Sequence, residues 1–295
     1  MSAAAPPTHS ASMRSDGTGI LEQVWRSDDG GWKAALEVDQ TNPFFFDHSL
    51  DHIPGMLTIC GLGDLARNGV WAPEVRRLRG NVAFRSIGEL EHPVVVAWGP
   101  LEAGRRTARI TQGPTVLAEG WVAASVEDET DTHDAQQPAT SRLEHAEARL
   151  LHRSRAENIM LGEPHPDQQG RICAAVIPPL PGHQLHGDRE ERYSAEVLIE
   201  AGRQYSTWLL HKFGDWPMGT QGLWIGLDID IPVQVPRTLP VTLRWRRHPI
   251  PPGKVLLTFD LVTGDGEAVI GSLGYTSRGL SASAYARYRE SRSNS

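Results

Sequence analysis

The run SAEVLIEAGRQYSTWLLHKF, residues 194–213, constrains the fold more than any other stretch of the chain. Written on a helical wheel, Val197, Leu198, Ile199, Tyr205, Trp208, Leu209 and Leu210 spread over nearly the whole circumference. A helix without a polar face has to be covered on all sides. The residues C-terminal to it supply a cover: GLWIGLDIDIPV, then PVTLRWRRHPI with apolar and polar residues alternating, then KVLLTFDLVT and EAVIGSLGYTS separated by Gly-Asp-Gly. These read as antiparallel strands joined by a hairpin. One buried helix wrapped by an antiparallel sheet is an α+β arrangement.

The same order occurs earlier. A helical pattern over residues 54–68 precedes strand-like NVAFRSIGEL, then PVVVAWGPL, then a hairpin of RTARITQ and TVLAEGWVAAS turning at Gly-Pro. This repetition points to an internal duplication and predicts two helix-in-sheet units. The expected boundaries are a disordered start at 1–15, a first repeat at 16–127, an acidic linker at 128–141 (DETDTHDAQQPATS), a second repeat at 142–285 and a disordered tail at 286–295.

Composition narrows the function class. Apolar runs such as PVVVAW fall far short of the roughly 20 residues of a membrane helix, and MSAAAPPTHSASMRSDG lacks a signal-peptide core, so a cytoplasmic, membrane-free protein is expected. Two cysteines, Cys60 and Cys173, make neither a disulfide framework nor a zinc cluster. A net charge of −7 argues against nucleic acid, although Arg244, Arg246, Arg247 and His248 form a local cation cluster suited to an anionic substrate or to a solvated strand end.

Chemistry concentrates in NPFFFDHSLDHIPGM, residues 42–56. Asp47, His48, Asp51 and His52 precede a helix start at Ile53, Pro54 and Gly55, whose unpaired N–H groups favour developing negative charge. The imidazoles titrate near working pH, and His48 is the favoured one for chemistry. The aspartates also suit turn capping, and the three phenylalanines suit a strand edge and core packing. Two histidines four apart without a third ligand are a weak metal signal, so no metal is expected. In the second helix Glu200 and Arg203 lie three apart on one face, as a base with an anion-binding partner or as a buried ion pair. Cys60, mid-helix among apolar neighbours, is expected to be an inert thiol.

NPFFFDHSLDHIPGM together with EVLIEAGRQ resembles the two repeats of the A-factor biosynthesis hotdog family, whose pattern runs roughly FFFDHPLDHVPGMLLLEAARQ. The resemblance implies a tandem hotdog, distantly related to hydroxyacyl-carrier-protein dehydratases. It also implies transfer of a β-ketoacyl group from a carrier-protein or CoA thioester to the hydroxyl of dihydroxyacetone phosphate, toward γ-butyrolactone signals of actinomycetes, without a cofactor. By this likeness Glu200, Arg203 and His48 are the expected catalytic residues, and Asp47, His52, Gly55, Met56 and Arg246 the expected substrate contacts. The first helix departs from the pattern: Cys60 and Gly63 stand where the second has Glu200 and Arg203. The second repeat, in turn, has LPGHQLHGDREERYS in place of the histidine loop. Since hotdog sites combine the loop of one unit with the helix of its partner, one composite site is expected to work and the other to become packing. A dehydratase or thioesterase using His48 and Glu200, or a non-catalytic acyl-binding protein, are the alternatives. The intramolecular pair permits a monomer, and exposed sheet edges permit a homodimer.

Overall fold

The computed structural model describes residues 19–126, 144–186, 191–233, 235–263 and 268–293. The expected N-terminal segment 1–15, the linker 128–141 and the Gly-Asp-Gly turn lie outside the described residues.

The first repeat comprises β1 (Leu21–Arg26), β2 (Trp32–Leu36), α1 (Gly55–Leu65), β3 (Arg77–Phe84), β4 (Val94–Trp98), β5 (Arg105–Gln112) and β6 (Thr115–Ser125). The second comprises β7 (His165–Pro166), β8 (Ile172–Ala175), α2 (Ala195–Phe213), β9 (Gln221–Pro232), β10 (Val241–Trp245), β11 (Lys254–Thr263) and β12 (Ala268–Leu280), followed by α3 (Ala282–Ser293). All strands join one sheet in the order β1-β2-β4-β5-β6-β3-β9-β12-β11-β10-β8-β7. From either edge inward the repeats share one sequence of strands: first, second, fourth, fifth, sixth, third. The duplication is thus a topological one, and the halves meet where β3 and β9 pair antiparallel, Arg79 opposite Asp230 and Val82 opposite Leu227.

Each half of the sheet covers its helix because its strands alternate. In β11, Val255, Leu257, Phe259 and Leu261 are buried while Lys254, Leu256 and Thr258 face out; in β4, Val94, Val96 and Trp98 point inward. Each large apolar side chain buried this way contributes about 1.5–3 kcal/mol. Polar tips fix the helices as well as cover them. Trp98 Nε1 donates to Leu62 O in α1 at 2.9 Å, and Tyr275 Oη donates to Ile199 O in α2 at 2.6 Å. Ser194 caps α2, its Oγ accepting the Val197 N–H at 3.3 Å.

Three expectations need correction. Phe44–Phe46 lie in a turn rather than a strand, because the Asn42 side chain accepts the Phe44 and Phe45 N–H groups and winds the backbone; Phe44 and Phe45 are nevertheless core residues. The strand expected at NVAFRSIGEL starts earlier, at Arg77, and ends at Phe84. Residues 286–293 of the expected tail belong to α3, held by Tyr285 Oη donating to Asp51 at 2.8 Å and by Arg289 on Glu89 at 2.6 and 2.8 Å. Among the described residues no helix is long and apolar enough to cross a membrane.

Candidate active site

Helical spacing puts Glu200, Arg203 and Gln204 on one face of α2. Glu200 is fully buried and surrounded by donors: Oε1 accepts Arg153 Nη2 at 2.6 Å, Arg203 Nη2 at 2.8 Å and Gln204 Nε2 at 2.8 Å, while Oε2 accepts Arg203 Nε at 2.8 Å. Burial alone would raise its pKa, but the guanidiniums of Arg153 and Arg203 outweigh that and hold the carboxyl at about 2. A carboxylate so held is a weak base. In this state it fixes two arginines.

Arg153 ties the loop of the first repeat to the helix of the second. Besides Glu200 it donates through Nη1 to Phe44 O at 2.9 Å, lies 3.6 Å from Asp47 Oδ2, and stacks over the Phe44 ring. Asp47, buried, also accepts the Ser154 N–H at 2.9 Å. Neighbouring polar groups complete the seam. Asn158 donates to Pro43 O at 2.8 Å and meets His183 Nε2 at 3.0 Å, and Asn42 donates to Gln184 at 2.9 Å. Through Arg153 the loop 42–54 is joined to α2.

Arg203 is the part of this cluster that reaches outward. With Nε and Nη2 committed to Glu200 and the side chain 21% exposed, it enters a cleft of about 60 Å3. His152 and Thr207 line the cleft with Arg203, and Trp216, Trp224 and Tyr275 form its aromatic walls. His152 Nε2 lies 2.9 Å from His211 Nε2, and His211 Nδ1 lies 2.9 Å from Trp216 O. Burial, reinforced by His211, Arg203 and His48, lowers the His152 pKa to about 4. His48, on the loop, is also lowered, by partial burial first and then by Arg153, Arg203 and His52 against the opposing pull of Asp47. His48, His152 and Arg203 therefore share one electrostatic neighbourhood.

The counterpart position in α1 is closed. Cys60 is fully buried and its thiol is pushed well up by burial and by Glu196 and Asp64, which makes it unreactive. A Cβ on Gly63 would overlap Glu196 Oε1, so glycine leaves room here for the buried side chain of Glu196 from α2. Glu196 takes Arg67 Nη1 at 2.6 Å, and Arg67 also pairs with Asp64. A buried acid from each helix clamped by one arginine replaces the Glu/Arg pair and joins α1 to α2.

Of the residues expected from sequence, Glu200, Arg203, His48 and Asp47 come together. The others do not join them as expected. His52 bonds Asp51 at 2.7 Å beneath Tyr285 of α3. Gly55 abuts the Trp224 ring, whose Cε3 lies 2.9 Å from where a Cβ would stand, so the approach to the helix start is covered rather than open. Met56 is a core residue. Arg246 is exposed beyond β10; its neighbour Arg247 lies over Phe213, ten residues and about 15 Å along α2 from Arg203. Arg244 is engaged with Asp260 at 3.0 Å.

Sequence reading missed Arg153, His152 and His211. The first two occupy HRSRAEN, a segment with neither helical nor strand periodicity; the only local signal was a clustering of cations and a histidine immediately before the apolar run IML.

The sequence model of the A-factor biosynthesis hotdog domain matches residues 13–62 and 134–279. No curated protein is similar enough in sequence to count as a relative. Among solved structures, the chain resembles the dehydratase domain from the CurJ module of curacin polyketide synthase (TM-score 0.62, 14% identity, 90% of this chain and 98% of that one). It also resembles the dehydratase domain of RzxB from Pseudomonas fluorescens (0.60, 13%, 88% and 98%). A third is the dehydratase domain of PpsC from Mycobacterium tuberculosis in complex with C12:1-CoA (0.59, 13%, 90% and 100%). At these identities the likeness establishes the double-hotdog fold.

Proposed function

The chain belongs to the A-factor biosynthesis hotdog family, and we propose that it is an acyltransferase acting on acyl thioesters in a biosynthetic pathway. It would move a β-ketoacyl group from a carrier-protein or CoA thioester to the hydroxyl of dihydroxyacetone phosphate or a similar phosphorylated acceptor. The observation that carries this reading is the posture of Arg203. Glu200 fixes the guanidinium by two bonds and leaves its remaining edge toward a small, aromatic-walled cleft. A planar, permanently charged fork pre-organised in this way suits a phosphate. Neither β-elimination nor thioester hydrolysis calls for such a cation.

The remaining parts have roles in this reading. Arg153 and Asp47 hold the loop on α2, so that His48 lies within electrostatic range of Arg203 and would orient the thioester carbonyl. The Gly55 and Met56 N–H groups at the start of α1 have no intrahelical acceptor and would stabilise the oxyanion, worth roughly 3–4 kcal/mol per donor in other enzymes. Trp224 separates that helix start from Arg203, touching the former and lining the cleft of the latter. Trp224 lines the cleft and abuts the helix start, so a movement of its ring would join the two.

A dehydratase reading is supported by the fold likeness, including the neighbour solved with C12:1-CoA. It needs a carboxyl that gives and takes a proton near neutrality, and the guanidiniums of Arg153 and Arg203 favour the ionised form of Glu200. The test is incubation with a β-ketoacyl thioester, with and without dihydroxyacetone phosphate, followed by mass spectrometry. The expected product is a phosphorylated ester that falls at least tenfold in Arg203→Ala. Loss of water from a 3-hydroxyacyl thioester, or free acid regardless of acceptor, would replace the transferase with a dehydratase or a thioesterase.

A further inference from the structure

We infer that His152 is the general base that activates the acceptor hydroxyl, with His211 as its positioning residue. This role rests on the transferase reading and assigns the proton transfer to a group other than Glu200.

Position comes first. His152 lines the same cleft as Arg203, so an acceptor whose phosphate sits on the guanidinium brings its hydroxyl to the imidazole side of that cleft. The backbone is set for this. His152 adopts φ 52°, ψ 48°, a left-handed conformation uncommon for a residue with a side chain. Three bonds of the next residue hold it there. The Arg153 N–H donates to Ala148 O at 3.0 Å, and the Arg153 side chain runs inward to Glu200 and Phe44 O. Consecutive residues thus serve opposite sides: Arg153 the buried seam, His152 the cleft.

The ring is also oriented. Trp216 O only accepts, so His211 Nδ1 carries the hydrogen in that bond. When both rings are neutral, His211 Nε2 is then the acceptor and His152 Nε2 the donor of the 2.9 Å contact. That tautomer leaves His152 Nδ1 with a lone pair and, among the described residues, no hydrogen-bond partner. The charged and titratable groups facing the ring are His211 and Arg203 from α2 and His48 from the loop, with no carboxylate among them. The ring therefore stays neutral while the cleft is empty. A bound phosphate supplies the missing negative charge, which strengthens the base when the acceptor is in place.

The step balances without a further reactant. His152 Nδ1 takes the hydroxyl proton as the alkoxide oxygen forms a bond to the thioester carbonyl carbon. The tetrahedral intermediate collapses with cleavage of C–S, and the departing sulfur takes the proton from the imidazolium. Ester and thiol are released, and His152 is neutral again.

The experiment measures ester formation from a β-ketoacyl thioester and dihydroxyacetone phosphate by wild type, His152→Asn and His211→Phe, with thermal unfolding of each. Asparagine tolerates the left-handed backbone, so His152→Asn is expected to fold while kcat falls roughly 10²–10⁴-fold with a much smaller change in KM for the acceptor. His211→Phe is expected to displace the acidic limb of the pH profile, because the ring that accepts the His152 Nε2–H is gone; a merely structural role would lower activity without moving that limb. Turnover by His152→Asn within threefold of wild type, or an unmoved limb in His211→Phe, overturns the inference and leaves the transferase standing. Absence of ester from wild type overturns the transferase reading, and the inference with it.

Discussion

Glu200 shows how burial and pairing compete at a single residue. Removal from water favours its neutral form, and two guanidiniums plus an amide favour the ion and win. The histidines show the same contest decided the other way: burial depresses both His152 and His183 to about 4, with nearby arginines adding to it. Each of these groups has a folded pKa below its unfolded value, so each binds fewer protons in the native state and its stabilisation is complete only above the unfolded pKa. Stability is therefore expected to fall as pH drops from about 6.5 to 4, through the two histidines, and again from about 4.5 toward 2 as Glu200 protonates. Urea midpoints measured across that range check this, and a midpoint flat from pH 7 to 4 would contradict the histidine contribution. In the sequence, Glu200 and Arg203 were legible because helical spacing places i and i+3 together. Arg153 was not, because its three partners, Phe44, Asp47 and Glu200, converge only through tertiary structure.

At the scale of elements, the contrast between α1 and α2 was legible as a substitution pattern, Cys60 and Gly63 against Glu200 and Arg203. The group that fills the vacated position was not, since Glu196 belongs to the other helix. Gly63→Ala tests the crossing. Alanine favours a helix interior by about 1 kcal/mol over glycine, whereas forcing a methyl group against a buried, ion-paired carboxylate costs about 1–3 kcal/mol. A net loss in chemical denaturation is expected, with activity per folded molecule retained because Gly63 lies outside the proposed site. A gain in stability would mean that the helices do not cross as described. Long alternating strands such as β11 could be read directly from the sequence. β1, β2, the two-residue β7 and β8 were missed, and α3 had no apolar stripe to announce it, ASAYARYRESRS being docked by Tyr285 and Arg289 on residues at least 200 positions away.

At the scale of the molecule, two copies of one topology joined at β3 and β9 create two equivalent places for a composite site. The sequence has diverged so that one holds Glu200, Arg203, Arg153 and His152 beside a cleft, and the other holds Arg67 between Asp64 and Glu196 as packing. The duplication itself was visible from element order. The continuity of the sheet was not, because an edge-to-edge pairing such as Val82 opposite Leu227 leaves no local signature. One working site per chain is tested most directly by calorimetric titration of the protein with dihydroxyacetone phosphate. One equivalent per chain is expected, abolished in Arg203→Ala and unchanged in Cys60→Ser. Two equivalents per chain, or one that survives Arg203→Ala, would contradict a single working site.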